Sequence, residues 1–249
     1  MSNMHRGSNL DMNNTKSILF CLPFAGGSAA TYKKWKNNLD DTIELHAIEL
    51  TGRGSRHREC FSCSIAETVD DIFPLIIEVA GKTPYAIFGH SMGSLIAFEL
   101  CKKIAESKGP MPQCLFLSVY NPPHMEKGRN ISELPLEKLK EEIFKLGGTP
   151  KEVIDSKELI DYFLPIIRAD FKICDTYKFS GDIKPLSCDI IALNGKTDPY
   201  TNFEIMKQWD KYTIRDFEIH SFDGGHFFIH YYMGQIVNII NRTMKEKNG

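Results

Sequence analysis

Short apolar runs alternate along this chain with segments whose apolar residues recur every three or four positions. The run at 17–23 is continuously apolar, which is typical of a strand buried on both faces of a parallel sheet, and 43–50 is predicted as a second, mainly apolar strand. Residues 64–79 have helical spacing and start with Ser64 and Glu67, the two residues of a capping box. This alternation predicts an α/β fold with a mostly parallel central sheet flanked by helices.

The remaining elements are predicted from the same two patterns. Further strands are expected at 85–90, 113–119, 189–193 and 215–222, and further helices at 31–39, 92–105, 203–209 and 227–244. Between about 122 and 185 the alternation stops, and two helical patterns follow each other at 136–146 and 157–177. We interpret this stretch as a helical lid inserted into a single domain at 16–249, preceded by a disordered leader at 1–15.

Composition narrows the classes of function. The chain has 249 residues and a formal charge of −2, which gives no indication of a nucleic-acid partner. Its apolar runs are shorter than the roughly 18 residues that a membrane span requires, and its first residues lack the apolar core of a secretory signal. Cysteines such as Cys21 and Cys101 lie inside apolar runs, as reduced thiols do. We therefore expect a cytoplasmic protein with no membrane partner.

A Gly-x-Ser-x-Gly sequence, from Gly89 to Gly93, lies between a predicted strand and a predicted helix. The pentapeptide alone is a weak signal, but this placement is the context in which the serine becomes a nucleophile. Glycines allow the strand and the helix to approach closely, so that the Ser91 hydroxyl stands clear of the fold. The free N–H groups of the helix N-terminus face any negative charge beside it, and Met92 N–H is the first candidate donor.

Two further residues follow predicted strands and complete a possible catalytic triad. Asp198 follows the strand at 189–193, and His226 follows the strand at 215–222. The carboxyl ends of parallel strands share one edge of the sheet, so both side chains should converge on Ser91. The order Ser, Asp, His is that of α/β-hydrolases. Asp223 lies too close to His226 in sequence to come from another strand end, and the remaining histidines considered, His90, His124, His220 and His230, do not end a strand after an acid.

A glycine-rich loop, 24–28, follows the first strand. It has neither the Gly-Lys-Ser/Thr of a phosphate loop nor a G-x-G-x-x-G fingerprint, so nucleotide binding is a poor interpretation. In the α/β-hydrolase pattern this loop supplies the second oxyanion donor, and we assign that donor to Ala25 N–H.

Two features allow more than one interpretation. The loop 51–59 contains Arg53, Arg56 and Arg58, which could hold a phosphate or an acidic partner, or could pin the loop to its own fold. The second lid helix has an apolar stripe that could cover a groove or could simply be packing. Cys60 and Cys63 form a C-x-x-C without the second pair that a zinc site requires, so no metal site is predicted.

Several motifs taken together resemble one family. They are Leu22-Pro-Phe-Ala-Gly-Gly-Ser-Ala, Tyr32 with Trp35, Gly52-Arg-Gly-Ser-Arg, Gly89-His-Ser-Met-Gly, Arg168-Ala-Asp-Phe171, Asn194-Gly-Lys-Thr-Asp-Pro and Gly225-His-Phe-Phe. The chain is similar over 18–230 to the stand-alone type II thioesterases of nonribosomal peptide and polyketide synthesis. One departure is Thr51, where the family usually has proline.

The resemblance implies an α/β-hydrolase fold and a serine hydrolase that acts on acyl or aminoacyl thioesters. The substrate would be held on the phosphopantetheine of an acyl or peptidyl carrier protein, and the enzyme would be a monomer with no cofactor of its own. Ser91, Asp198 and His226 would be catalytic. Candidate substrate or carrier contacts are Phe24, Arg53, Arg56, Arg58, Phe163, Ile167 and Phe171. A carboxylesterase, an acyl-CoA thioesterase and a hydrolase-fold binding protein with a decayed triad remain alternatives.

Overall fold

A computed structural model describes residues 17–125, 130–148, 156–179 and 182–247. The predicted leader at 1–15 lies outside these ranges. The described residues contain one six-stranded sheet with the strand order β2-β1-β3-β4-β5-β6. Its strands are β1 (Ser17–Leu22), β2 (Ile43–Ala47), β3 (Tyr85–His90), β4 (Cys114–Ser118), β5 (Asp189–Gly195) and β6 (Phe217–Phe222).

Every pairing between these strands is parallel, which confirms the predicted fold class. The chain passes from β1 outward to β2 and then returns to place β3 on the other side of β1. The strand order therefore reverses between β1 and β3, and a parallel sheet opens a crevice beyond the carboxyl ends of its strands at such a point. The loops after β1 and β3 are those that contain Ala25 and Ser91.

Helices cover both faces of the sheet. The α-helices are α1 (Ile65–Ala80), α2 (Met92–Glu106), α3 (Leu136–Leu146), α4 (Lys157–Thr176), α5 (Phe203–Met206) and α6 (Met233–Glu246). Short 3₁₀ segments occur at Ala29–Asn37, Gly54–Arg56, Pro123–Met125, Ile131–Glu133, Lys207–Tyr212 and Phe228–His230. The capping box predicted for α1 is present, since the Ser64 hydroxyl accepts a hydrogen bond from Glu67 N–H.

The structure differs from the predicted elements at three helices, one of which, predicted at 203–209, is a short α-helix, Phe203–Met206, followed by the 3₁₀ segment Lys207–Tyr212. The segment predicted as a helix at 31–39 is a 3₁₀ helix, in which residues three apart line up along one edge. Tyr32 and Trp35 are such a pair, and both rings are buried in edge contact with a centroid distance of 5.1 Å. The helix predicted at 227–244 begins only at Met233, after the separate turn Phe228–His230.

Apolar side chains fill the space on both sides of the sheet. Phe20 and Leu22 face a cluster beneath α1 and α2, whereas Leu19 and Cys21 face a second cluster beneath α6. Burial on both faces explains why the inner strands β1, β3, β4 and β5 are mainly apolar throughout, whereas the edge strands β2 and β6 alternate with polar residues. Among the described residues, no helix combines the length and the apolar character that crossing a bilayer would require.

The helices α3 and α4, here called the insertion helices, lie between β4 and β5 in the sequence and have a small apolar cluster of their own. The Arg168 guanidinium on α4 donates to the carbonyls of Ser132 and Leu134, at 2.5 and 2.9 Å. Asp175, also on α4, accepts a hydrogen bond from Ser132 N–H at 2.8 Å. These contacts fasten the segment before α3 to α4. A lid role for the insertion helices stays a prediction.

Candidate active site

Ser91 lies at the sharp turn between β3 and α2, with a φ of 54°. This left-handed conformation is costly for a residue with a side chain. A Cβ on Gly89 would lie 2.2 Å from the Gly93 carbonyl oxygen, and one on Gly93 would lie 2.3 Å from that of Leu22. Only glycine fits at these two positions, and their close packing holds the serine in its strained conformation.

His226 lies between the Ser91 hydroxyl and the Asp198 carboxylate. Its Nε2 is 2.9 Å from Ser91 Oγ, and its Nδ1 is 2.6 Å from Asp198 Oδ2. The Asp198 side chain has no exposed surface, and that of His226 is 6% exposed. Residues 135 positions apart in sequence are thus in one hydrogen-bonded line. A serine with this partner arrangement can be deprotonated by the imidazole, while the carboxylate sets the tautomer.

The second oxygen of Asp198 is held by its own turn. Oδ1 accepts hydrogen bonds from Tyr200 N–H at 2.7 Å and from Thr201 N–H at 3.1 Å. An aspartate that bonds to N–H groups two and three residues further on forms a local turn, and this turn fixes its orientation. Tyr200 and Thr201 were not predicted as functional residues, although the Asp-Pro pair in this segment is a signal for such a turn.

His90, the residue before Ser91, is fully buried behind the triad. Its ring centroid is 5.5 Å from that of His226, and its Nδ1 is 2.8 Å from the Ser118 hydroxyl. Burial holds the pKa of His90 well below its usual range, with the nearby imidazole of His226 adding to the effect. His90 is therefore neutral and adds no second positive charge next to an imidazole that must accept a proton.

The two predicted oxyanion donors lie beside Ser91. Met92 is the first residue of α2, and the leading N–H groups of a helix have no acceptor within it. Ala25 lies in the turn after β1, where Gly27 N–H donates to the Phe24 carbonyl at 2.8 Å. Both residues line the same cavity as Ser91 and His226. Their role as donors stays a prediction that fits this arrangement.

A larger apolar cavity of about 270 Å³ adjoins this one, between the turn after β1 and the insertion helices. Phe171 lines both cavities. The other predicted contacts of the apolar class, Phe24, Phe163 and Ile167, line the larger cavity. Substrate contact at these four side chains stays a prediction.

Within the described ranges, no group of three or more His, Cys, Asp or Glu side chains could hold a metal ion.

The three arginines of the 51–59 loop differ in their surroundings. Arg53 is 4% exposed, and its guanidinium forms two hydrogen bonds, of 2.5 and 2.6 Å, with the buried carboxylate of Asp170. Arg56 pairs with Glu59 and with Asp71 on α1, at 2.6 Å to the latter. Arg58 is exposed and has no ion-pair partner among the described residues.

These surroundings correct one interpretation of the loop. The Arg53 side chain is only 5% exposed, and its guanidinium is paired with the buried carboxylate of Asp170. Arg53 therefore cannot contact a partner protein. Arg56 serves mainly to attach the loop to α1. Asp170 was part of a motif in the sequence analysis but had no assigned role, and no local pattern indicated that it pairs with a residue 117 positions away.

Comparisons with known proteins agree with this geometry. The family model described as "Thioesterase domain" matches residues 17–244. The gramicidin S biosynthesis protein GrsT of Aneurinibacillus migulanus is 33% identical over 228 residues, covering 89% of this chain and 87% of that protein. The medium-chain S-acyl fatty acid synthase thioesterase of Homo sapiens is 34% identical over 215 residues, covering 85% and 80%.

Among solved structures, ClbQ from the colibactin NRPS/PKS pathway superposes with a TM-score of 0.87 at 36% identity. The match covers 93% of this chain and 98% of ClbQ. A likeness of this extent means that the two chains share their fold, and the predicted α/β-hydrolase fold is confirmed.

Proposed function

Because this chain belongs to the thioesterase domain family, we propose that it is a type II thioesterase of nonribosomal peptide or polyketide synthesis. It hydrolyses acyl or aminoacyl thioesters from the phosphopantetheine arm of carrier proteins. The observation that carries the proposal is the hydrogen-bonded line from Asp198 through His226 to Ser91, which ends in a cavity. The similarity to GrsT, a gramicidin S biosynthesis protein, and to ClbQ, from an NRPS/PKS pathway, supports the class of substrate.

The first half of the reaction forms an acyl-enzyme. Nε2 of His226 takes the Ser91 proton as Oγ attacks the thioester carbonyl carbon, and Asp198 stabilises the imidazolium that results. The N–H groups of Ala25 and Met92 hold the oxyanion of the tetrahedral intermediate. When this intermediate collapses, the carbon–sulfur bond breaks and His226 returns its proton to the departing pantetheine thiol.

The second half releases the acid. A water molecule gives its proton to His226 Nε2 and attacks the acyl carbon of the serine ester. The same two N–H groups stabilise the second oxyanion, and collapse returns the proton from His226 to Ser91 Oγ. In this proposal the carrier protein brings the phosphopantetheine, and the enzyme acts as a cytoplasmic monomer without a cofactor of its own. The apolar cavity beside Phe171 takes the acyl chain or the arm.

The test compares one acyl group on three leaving groups: a carrier protein, coenzyme A and a simple oxygen ester. We expect kcat/KM to favour the carrier by about tenfold or more, because about 1.4 kcal/mol of extra transition-state binding gives that ratio. Ser91→Ala should lower turnover by about five to six orders of magnitude, since triad residues act as a unit. A fluorophosphonate should label Ser91 in the wild type and should not label the Ser91→Ala variant.

Each alternative predicts a different result in this comparison. A preference for the oxygen ester indicates a carboxylesterase, and equal rates on coenzyme A and carrier indicate an acyl-CoA thioesterase. A wild-type protein that neither turns over any substrate nor reacts with the fluorophosphonate is a binding protein. A second candidate substrate, a medium-chain fatty acyl group on a carrier, is favoured by the 34% identity to the human medium-chain enzyme and is included among the acyl groups compared.

A further inference from the structure

Asp170 on α4 connects the insertion to the turn that contains the proposed oxyanion donor. Its carboxylate is buried and accepts a hydrogen bond from Gly26 N–H at 2.7 Å. The same carboxylate is held by both terminal nitrogens of Arg53, and one of these nitrogens also reaches the Gly27 carbonyl at 3.3 Å. Three segments that are distant in sequence therefore meet next to Ala25. They are the turn after β1, the loop after β2 and α4.

The conformation of this turn depends on the orientation of one peptide group. Gly27 N–H bonds to the Phe24 carbonyl, and Gly26 has a φ of 78°, as the third residue of a type II turn does. Types I and II differ mainly by a flip of the central peptide, here the one between Ala25 and Gly26. The flip would turn Gly26 N–H away from Asp170 and bring the Ala25 carbonyl oxygen toward that side. A carboxylate stabilises the N–H and repels the oxygen, so Asp170 favours the observed form and fixes the peptide that directly follows Ala25.

Steric contact from α4 acts on the same residue. A Cβ on Gly26 would lie 2.7 Å from Cγ1 of Ile167, which is three residues before Asp170 and on the same face of the helix. The turn is thus packed against Ile167 and hydrogen-bonded to Asp170. Its conformation depends on α4 remaining in place.

The stability of the fold does not by itself account for a buried ion pair at this point. Burial raises the pKa of the Asp170 carboxyl, and the Arg53 guanidinium and Gly26 N–H oppose that rise. Replacing both partners of such a pair with apolar residues of similar size is often neutral or stabilising. The contact with Gly26, next to the proposed donor, gives the pair a function that apolar residues could not provide.

We propose that Asp170 is a positioning residue, which Arg53 holds in place and which anchors the Phe24–Gly27 turn to α4 through Gly26 N–H, so that the adjacent Ala25 N–H stays at the position where the oxyanion forms. This inference rests on the serine hydrolase mechanism proposed above. It predicts that loss of the Asp170 acceptor lowers the rate of the chemical step without weakening substrate binding.

The test compares two double variants. Arg53→Met with Asp170→Leu removes the acceptor for Gly26 N–H, whereas Arg53→Gln with Asp170→Asn removes both charges but keeps an acceptor oxygen at position 170. We expect the first to lower kcat by about 100-fold, since removal of one oxyanion donor costs roughly 10² to 10³ in kcat. KM should change less than threefold, and the Gln/Asn variant should keep most of the wild-type kcat.

A transition-state analogue separates positioning from general damage. A boronic acid that forms a tetrahedral adduct with Ser91 should bind the Met/Leu variant more weakly, by about the same factor as the loss in kcat/KM. A non-hydrolysable thioether of the same acyl-pantetheine should bind with unchanged affinity. A merely structural role would weaken the binding of both ligands or of neither.

Three outcomes would overturn the inference: a Met/Leu variant with kcat within threefold of wild type, equal losses in the two double variants, or binding of the boronic acid and the thioether that is weakened equally or not at all. If the Met/Leu variant does not fold, Arg53→Gln with Asp170→Ala replaces it in the comparison with the Gln/Asn variant. If the wild type hydrolyses no thioester, the proposed function fails, but the rate of fluorophosphonate labelling of Ser91 still measures the effect of Asp170.

Discussion

The backbone at Ser91 is strained, and neighbouring residues hold it in that state. The Ser94 hydroxyl is within hydrogen-bond distance of the Gly89 carbonyl, at 2.8 Å, and of the Ser118 carbonyl, at 2.9 Å. Ser91 N–H donates to the same Ser118 carbonyl at 2.8 Å. Each contact is formed in the fold before any substrate arrives, so the nucleophile does not have to be ordered during the reaction. Strain of this kind persists only where the surroundings determine the conformation.

Asp198 and Asp223 provide a matched pair of variants for the catalytic acid. Asp198→Asn keeps the geometry but favours the wrong tautomer of His226, so kcat should fall by about 10⁴. Asp223 has a 75% exposed side chain paired with Lys196, and Asp223→Asn should leave kcat nearly unchanged because exposed ion pairs contribute little. Steady-state kinetics on one thioester measures both. Losses in the reverse order would mean that Asp223, not Asp198, is the acid.

The insertion helices contact opposite sides of the site. Through Asp170, α4 reaches the turn after β1, while α3 reaches the turn after β5 by a hydrogen bond between the Tyr200 hydroxyl and Glu142. Lys145, also on α3, lies 5.4 Å from the centroid of the Tyr200 ring. Since Tyr200 N–H also bonds to Asp198, one residue joins α3 to the acid of the triad. The position of each helix therefore bears on a different catalytic group.

Tyr200→Phe tests the connection between α3 and the acid turn. A hydrogen bond to a charged group contributes about 1.5–3 kcal/mol, so its loss should speed amide hydrogen exchange across Leu136–Leu146 by about tenfold or more. Exchange in α1, which lies elsewhere in the fold, should not change. Tyr231→Phe is the control, because that ring is 84% exposed. Unchanged exchange in α3 would mean that packing alone holds the helix.

The distribution of charge, rather than the formal net charge of −2, bears on carrier recognition. Arg53 and Arg56 are neutralised by Asp170, Glu59 and Asp71 within the fold. In the 51–59 loop this leaves Arg58 as the arginine that faces solvent without an ion-pair partner among the described residues. A phosphate on an acidic partner would therefore meet Arg58 first.

Arg58→Ala should lower kcat/KM on a carrier-bound thioester by about threefold and leave a simple ester unaffected, because a solvent-exposed charge pair is worth about 0–1 kcal/mol. Raising the salt concentration should narrow the difference between wild type and variant, since the screening length falls to about 8 Å at 0.15 M. Arg215→Ala, at an exposed arginine just before β6, is the control. Equal losses on both substrates would assign Arg58 to the active site in general, and recognition would then lie on the insertion helices.

Local patterns were sufficient to predict most of the fold and the hydrogen-bonded triad of Ser91, His226 and Asp198. Strands buried on both faces, the glycines around Ser91, and the places of Asp198 and His226 after their strands all depend on residues close together in sequence or on the shared edge of a parallel sheet. Element ends were less well predicted. In the 3₁₀ segment Ala29–Asn37 two aromatic rings pack edge to face, a contact that periodicity does not show.

The tertiary structure alone decided the partners of buried polar groups. Arg53 in a glycine-rich loop is compatible with an exposed phosphate contact or with a buried ion pair, and only the packing of α4 against that loop selects the pair with Asp170. Likewise, no pattern near Tyr200 indicates that its hydroxyl meets Glu142, 58 positions earlier. A buried charge must find its partner wherever the folded chain brings one within hydrogen-bond distance, and that proximity has no period along the sequence.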